Sequence, residues 1–304
     1  MIDTSIEICG VRMKNPVTVA SGTFGSGMEY SEFVDLSRLG AVTTKGVAIT
    51  PWEGNPTPRV AEVYGGMLNA IGLQNPGLDT FIRRDLKFLK GVDTAVIVNV
   101  CGHSVEEYEA CVERLADRDD VDLMEINVSC PNVKEGGIAF GVDPKALNDI
   151  TKKLKKKCGK TPIIMKLSPN VTDIAEMARA AVDGGADALS LINTITGMKI
   201  DIYRRTYALA NRTGGLSGPA VKPVAVRMVN QVASAVDVPI IGMGGIANAE
   251  DAIEFIMAGA TAVSVGTVNF NDPFTTIKVV EGIESFMKAQ GIENLSEIRG
   301  CVRW

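Results

Sequence analysis

The segment Asn127-Val128-Ser129-Cys130-Pro131-Asn132 places a thiol at the end of a strand-like run, Leu123-Met124-Glu125-Ile126-Asn127-Val128. Proline has no N–H to give to a sheet ladder, so the strand stops at Cys130. A thiol held where a strand becomes a loop can serve as a base or nucleophile once it gives up its proton. A free cysteine is equally at home as a small core residue. The choice between these readings depends on the other residues that end apolar runs.

Five further polar residues do so: Ser21, Lys45, Asn99, Lys166 and Asn193, with Asn127 as the sixth member of the group. Burying an amide or ammonium without a partner costs several kcal/mol. Lys45 and Lys166 therefore require an anionic or electron-rich partner. The asparagines offer donors and acceptors together, which suits a heterocycle with alternating N–H and C=O edges. Two later runs end in glycine instead, at Gly242, Gly244, Gly245 and Gly266. Bare backbone before a helix lets a phosphate approach N–H groups. Phosphate on one side and a lysine-and-amide centre together point to a mononucleotide, most economically flavin mononucleotide. Lysine near the pyrimidine edge of the flavin would stabilise the charge that develops on reduction. The chain has a single histidine. His103, in Cys101-Gly102-His103-Ser104, reads as part of a helix start, which leaves Cys130 as the base.

The elements that must position these groups repeat one theme. Eight short apolar runs (17–21, 41–47, 94–100, 123–129, 162–168, 188–194, 239–244 and 262–267) alternate with amphipathic stretches (29–39, 105–118, 144–157, 174–184, 221–235, 249–258 and 274–289). Near-continuous Val/Ile/Leu strands alternating with helices predict a parallel sheet covered on both faces. Eight units most simply close into an α/β (β/α)8 TIM barrel, whose strand C-termini form the active-site rim; an open doubly wound sheet is the alternative. The opening Ile6–Pro16 predicts an N-terminal hairpin. Long connections at 51–75 and 195–220 are expected to cover the C-terminal face. Glycines 136, 137 and 141 would permit either a flap or a plain turn in the connection that follows Cys130. No Pro- or Ser-rich linker interrupts residues 1–304, so one domain is expected.

Composition narrows the function. Net charge is −5, and the one basic run, Lys152 to Lys160, suits a solvated helix end, so no nucleic-acid role is expected. The six cysteines show no Cys-x-x-Cys pairing and have one histidine for company, which argues against a metal site. No leader-like segment opens the chain, and the longest uncharged stretch, 255–271, is short of the roughly 20 residues that cross a bilayer. A cytoplasmic protein with reduced thiols and no membrane partner is expected.

Several long motifs in order resemble the dihydroorotate dehydrogenases, over essentially the whole chain. They are Thr44-Lys45-Gly46-Val47, Asn69-Ala70-Ile71-Gly72-Leu73-Gln74-Asn75-Pro76-Gly77, the Cys130 segment, Ile164-Met165-Lys166-Leu167-Ser168-Pro169, Asn193-Thr194, Gly214-Gly215-Leu216-Ser217-Gly218-Pro219, Gly242-Met243-Gly244-Gly245 and Val265-Gly266-Thr267. The resemblance implies that Cys130 removes the C5 proton of dihydroorotate while hydride leaves C6 for one flavin mononucleotide per chain. Lys45 would touch flavin and substrate. Asn69, Ala70, Ile71, Gly72 and Leu73, with Asn127, Asn132, Asn193 and Thr194, would hold the orotate ring and carboxylate. Ser21, Lys45, Gly46, Asn99, Asn127, Lys166, Ile192 and Gly218 would line the flavin, and Gly244, Gly245, Gly266 and Thr267 its phosphate.

A cysteine base marks the soluble members of that family. These either reduce fumarate as homodimers or pass electrons to NAD through a partner carrying FAD and a [2Fe–2S] cluster. The stretches Gly54–Arg59 and Leu216–Ala225 resemble the NAD-linked type, which implies a heterotetramer of two chains of each kind. A dihydropyrimidine dehydrogenase-like flavoenzyme is the other enzyme reading that shares the barrel and the cysteine.

Overall fold

The computed structural model describes residues 2–128 and 140–302. Eight short parallel strands (Val17–Val19, Ala41–Thr43, Ala95–Val100, Leu123–Asn127, Ile163–Lys166, Ala188–Leu191, Ile240–Met243 and Ala262–Val265) form one sheet. They are counted here as the first to the eighth barrel strand. Each hydrogen-bonds its sequence neighbour from the second strand round to the eighth, and the eighth returns to the first. The circle closes between the first and second strands, where the Gly40 N–H donates to the Val17 carbonyl at 3.0 Å and the Thr18 and Thr43 hydroxyls lie 3.3 Å apart. The expected barrel is present, with every one of its eight strands inside the predicted runs.

Side chains alternate in and out along a strand, so the barrel interior is built in layers. At the N-terminal end, Ile97, Leu123, Ile164, Ala188, Ile241 and Ala262 pack against Ile8 and Met13. Those two belong to the antiparallel hairpin Ile6–Ile8 and Val11–Met13, which was expected from the opening sequence and, as was not foreseen, plugs the barrel. One inward position further along, the filling becomes polar on seven of the eight strands, with Thr18, Thr43 and Ser264 on one side and Asn99, Glu125, Lys166 and Ser190 on the other, all buried, while the seventh strand keeps Met243.

Helices cover the outside, and four of them start on a capping side chain. Ser104, Asp143, Asp173 and Asn248 each accept a backbone N–H from the first turn of the helix that they precede. One expected helix is corrected. Residues 29–39 form only two short 3-10 turns, Tyr30–Glu32 and Leu36–Arg38. Asp35 interrupts them in an extended conformation, with its carboxylate accepting from the Ser37 N–H at 3.0 Å. An unanticipated helical run follows Pro76-Gly77, from Leu78–Phe81 through a π-turn at Ile82–Leu86 to Lys87–Leu89.

The two long connections are also more ordered than expected. The hairpin Val60–Val63 and Gly66–Asn69 joins Ile195–Met198 and Thr213–Ser217 in a four-stranded antiparallel sheet, with Asn69 registered against Gly215. No helix among the described residues is long and apolar enough to cross a membrane.

Replacing the plug residue Ile8, which is fully buried, by alanine is expected to cost about 2–4 kcal/mol of stability. The urea midpoint should fall accordingly. Turnover should be unchanged, because the plug closes the end of the barrel opposite the strand C-termini.

Candidate active site

A cavity of about 930 Å³ opens at the C-terminal ends of the barrel strands. Lys166 and Ser264 reach it from the polar layer, and Ser21, Lys45, Asn127, Ile192 and Asn193 reach it from the strand ends. The antiparallel sheet supplies the opposite wall through Met67, Asn69 and Gly214 to Ser217, and the loop Ala70 to Leu73 completes that side.

The two lysines differ. Lys166 is 4% exposed, and its ammonium lies 3.2 Å from Glu125 Oε1, a carboxylate that is itself 2% exposed. Lys45 follows the second strand and has no carboxylate in ion-pair contact among the described residues. Burial pushes its ammonium below the usual lysine range, and the positive Arg59 and Lys166 push the same way against the opposing effect of Cys101.

Around the lysines stands a set of amides. Asn193 Nδ2 donates to Asn127 Oδ1 at 3.2 Å, and Asn193 Oδ1 accepts the Thr194 N–H at 2.7 Å. The Asn127 carbonyl is fixed from outside the barrel by the buried Tyr108 hydroxyl, 2.7 Å away. Asn69 Nδ2 donates to the Gly215 carbonyl at 3.3 Å, which ties two neighbouring strands of the covering sheet together. A side chain at Gly215 would overlap Thr194, so glycine there is the condition for the covering sheet to approach the rim.

At the far side, Gly244 and Gly245 have φ of +124° and +83°. A Cβ at Gly245 would sit 2.8 Å from the Lys222 backbone nitrogen, and one at Gly244 2.9 Å from Ala225 Cβ. Positive φ, with backbone close to Gly245 and the Ala225 and Ile192 side chains close to Gly244, keeps these two positions bare. The Thr267 hydroxyl donates to that of Ser217 at 2.7 Å across the same part of the cavity. Bare backbone and paired hydroxyls form a cradle with the chemistry an anionic group takes.

Sixteen of the expected residues line this cavity: Ser21, Lys45, Asn69, Ala70, Ile71, Gly72, Leu73, Asn127, Lys166, Ile192, Asn193, Thr194, Gly244, Gly245, Gly266 and Thr267. Gly46, Asn99 and Gly218 are not part of the lining. Asn99 is fully buried, and its Nδ2 donates to Glu125 Oε1 at 2.5 Å. Gly46 sits against Asn99, since a Cβ there would lie 2.8 Å from Asn99 Oδ1, and the Gly218 carbonyl lies 2.9 Å from where a Gly245 Cβ would be. Cys130 and Asn132 lie outside the described residues; Asn127 and Val128, which precede them, line the cavity. His103 stacks on Trp52 with ring centroids 3.8 Å apart and takes no part in the lining.

Sequence reasoning passed over Glu125, Ser190 and Ser217. The signal for Glu125 was present, because it is charged and shares the period-two face of Leu123 and Asn127.

The family model described as dihydroorotate dehydrogenase matches residues 3–287. The chain is 68% identical over 302 residues to the dihydroorotate dehydrogenase B (NAD(+)) catalytic subunit of Lachnoclostridium phytofermentans, covering 99% of this chain and all of that one. It is 60% identical over 301 residues to the protein of the same name from Alkaliphilus metalliredigens, with 99% of each covered. With the namesake from Geotalea uraniireducens the identity is 55% over 300 residues, covering 99% of this chain and 98% of the relative. Among solved structures, dihydroorotate dehydrogenase from Eimeria tenella in complex with ferulenol superposes with a TM-score of 0.82 at 23% identity, over 98% of this chain and 88% of that one. This last likeness concerns the fold.

Folding lowers the proton affinity of Lys45, so the unfolded chain binds more protons there and stability rises with pH as that lysine discharges. Lys45→Met should therefore raise the melting temperature of the ligand-free protein at pH 7. The gain should shrink as pH climbs from the lowered folded value towards the ordinary lysine value of about 10.4. Calorimetry across pH 7–10 measures both effects.

Proposed function

Because the chain belongs to the dihydroorotate dehydrogenase family and oxidises dihydroorotate to orotate, we propose that it does so with one bound flavin mononucleotide, with Cys130 as the base. The reading rests on one arrangement: two lysines line a cavity that also carries a bare-backbone and hydroxyl cradle. A flavin mononucleotide fits this donor set. Its phosphate would lie on Gly244, Gly245, Gly266 and Thr267, with Ser217 beside them. Its pyrimidine edge would face Lys166 and Lys45, and Ser21, Asn127 and Ile192 would line its ring. Gly46, Asn99 and Gly218 would support this set from behind. When bound, the flavin supplies the two-electron acceptor.

The chain's own groups do the rest. Asn69, Ala70, Ile71, Gly72 and Leu73, together with Asn127, Asn132, Asn193 and Thr194, orient the dihydropyrimidine and its carboxylate. The Asn127–Asn193–Thr194 hydrogen bonds hold the amides in one orientation, so little reorganisation is needed when substrate arrives. Lys45 supplies positive charge at the substrate carboxylate and ring. Cys130 follows the cavity-lining Val128 by two residues and takes the C5 proton, a step worth about 10²–10⁴-fold.

Relatives named as catalytic subunits of NAD(+)-linked enzymes support an acceptor system in which electrons leave for NAD through a second protein. In this proposal that partner carries FAD and a [2Fe–2S] cluster, and two chains of each kind assemble. The free thiols at Cys9, Cys101, Cys111, Cys158 and Cys301 suit the cytoplasm, the compartment proposed here.

Anaerobic mixing with dihydroorotate tests the reading. The purified protein should be yellow, and its visible absorbance should bleach on mixing. Cys130→Ala should keep the flavin and bleach at least about 100-fold more slowly. Undiminished bleaching would remove Cys130 from its role, and a colourless wild-type protein would remove the flavin. NAD should restore the colour only when the partner is added, whereas restoration by fumarate alone would reverse the acceptor assignment.

A further inference from the structure

Glu125 sits in the barrel interior, one inward position below Asn127 on the fourth strand. Its carboxylate is surrounded by donors. Oε1 accepts from Asn99 Nδ2 at 2.5 Å and from Lys166 Nζ at 3.2 Å, and Oε2 accepts from the Ser190 hydroxyl at 2.7 Å. The four residues come from the third, fourth, fifth and sixth strands, with Asn99 registered on Glu125 and Ser190 on Lys166. Of the four, Lys166 lines the cavity.

Filling space does not explain this cluster. The layer beneath it fills the same barrel with Ile97, Leu123, Ile164 and Ala188. A buried ion pair gives little net stability compared with such packing, because both charges lose their water. What the cluster does achieve is electrostatic. It holds an ammonium at the cavity floor and places a counter-charge on the side away from the ligand. At low dielectric that counter-charge removes a large part of the field that the ammonium would otherwise project into the cavity. Lys45, at the same rim, has no carboxylate in ion-pair contact among the described residues.

We propose that Glu125 is a positioning residue that sets how much positive charge Lys166 presents to the bound flavin, and so keeps the flavin's reduction potential low. The proposal rests on the flavin reading given above. Reduction adds negative charge to the isoalloxazine ring. An uncompensated ammonium at the ring would favour the reduced form and retain electrons that must be passed onward. The Glu125 carboxylate offsets that attraction, and Asn99 and Ser190 hold it in place while it does so.

Spectroelectrochemical titration of the flavin at pH 6, independent of turnover, tests this in four proteins. Glu125→Gln should shift the reduction equilibrium towards the reduced flavin about tenfold or more, roughly 30 mV upward for a two-electron couple. Lys166→Gln should shift it the other way. Adding Glu125→Gln to Lys166→Gln should change it less than about threefold, because the carboxylate acts by holding the Lys166 ammonium 3.2 Å from Oε1, and without that ammonium there is nothing for its loss to release towards the flavin. If Glu125→Gln does not retain flavin, Glu125→Asp, which keeps the charge but withdraws it by one methylene, should give a smaller upward shift. A wild-type protein without flavin defeats the cofactor reading itself. A flavin-loaded variant with an unchanged potential, or an equal shift with and without Lys166, overturns the role of Glu125.

Discussion

A closed barrel of parallel strands has an interior that only side chains can fill, because the backbone is consumed by the sheet. Every second residue of each strand faces that interior, so composition along the strand becomes depth in the barrel. In this chain the change of character takes one inward step: Ile97 to Asn99, Leu123 to Glu125, Ile164 to Lys166, Ala188 to Ser190 and Ala262 to Ser264. Below the step the hairpin plug and the apolar layer exclude water. Above it the cavity begins. The floor of the site is therefore set by strand register. A slip of one residue would send the polar row to the helix-covered outer face.

The polar layer is also asymmetric. Between the first, second and eighth strands it consists of hydroxyls, with Thr18 bonded to Ser264 and close to Thr43. Across the third to sixth strands it carries the carboxylate, the ammonium, an amide and a hydroxyl. Charge enters the cavity from one half of the floor, and the bare glycine cradle lies after the seventh and eighth strands. Under the flavin reading proposed above, the separation would give the cofactor a direction: its ring towards the charged half, its phosphate towards the backbone.

The barrel was legible because its strands are nearly continuous apolar runs, and the polar residues that ended them were conspicuous there. The covering sheet was not legible. Gly214 and Gly215 remove the side-chain alternation that identifies a strand, and the reason for those glycines, contact between Gly215 and Thr194, is long-range. The residues 29–39 looked helical by their apolar spacing, but local hydrogen bonding by Asp35 prevailed over the pattern. Asn99 was expected at the flavin because it ends an apolar run like Asn127. It lies opposite Glu125, one inward step lower than Asn127, and outside the cavity lining.

The different treatment of the two lysines follows from where each sits in this layering. Lys166 rises from within the sheet, where neighbouring strands can bring a carboxylate beneath it without exposing that carboxylate to ligand. Lys45 lies beyond the end of the second strand, with Gly22 beside its ammonium and the cavity before it. A counter-ion there would have to occupy the cavity itself. Burial, with no counter-ion to offset it, depresses the proton affinity of Lys45 and makes the ligand-free protein less stable than it could be. That cost is confined to a rim position and reversed by an anionic ligand, whereas an unpaired ammonium inside the sheet would act on the whole barrel.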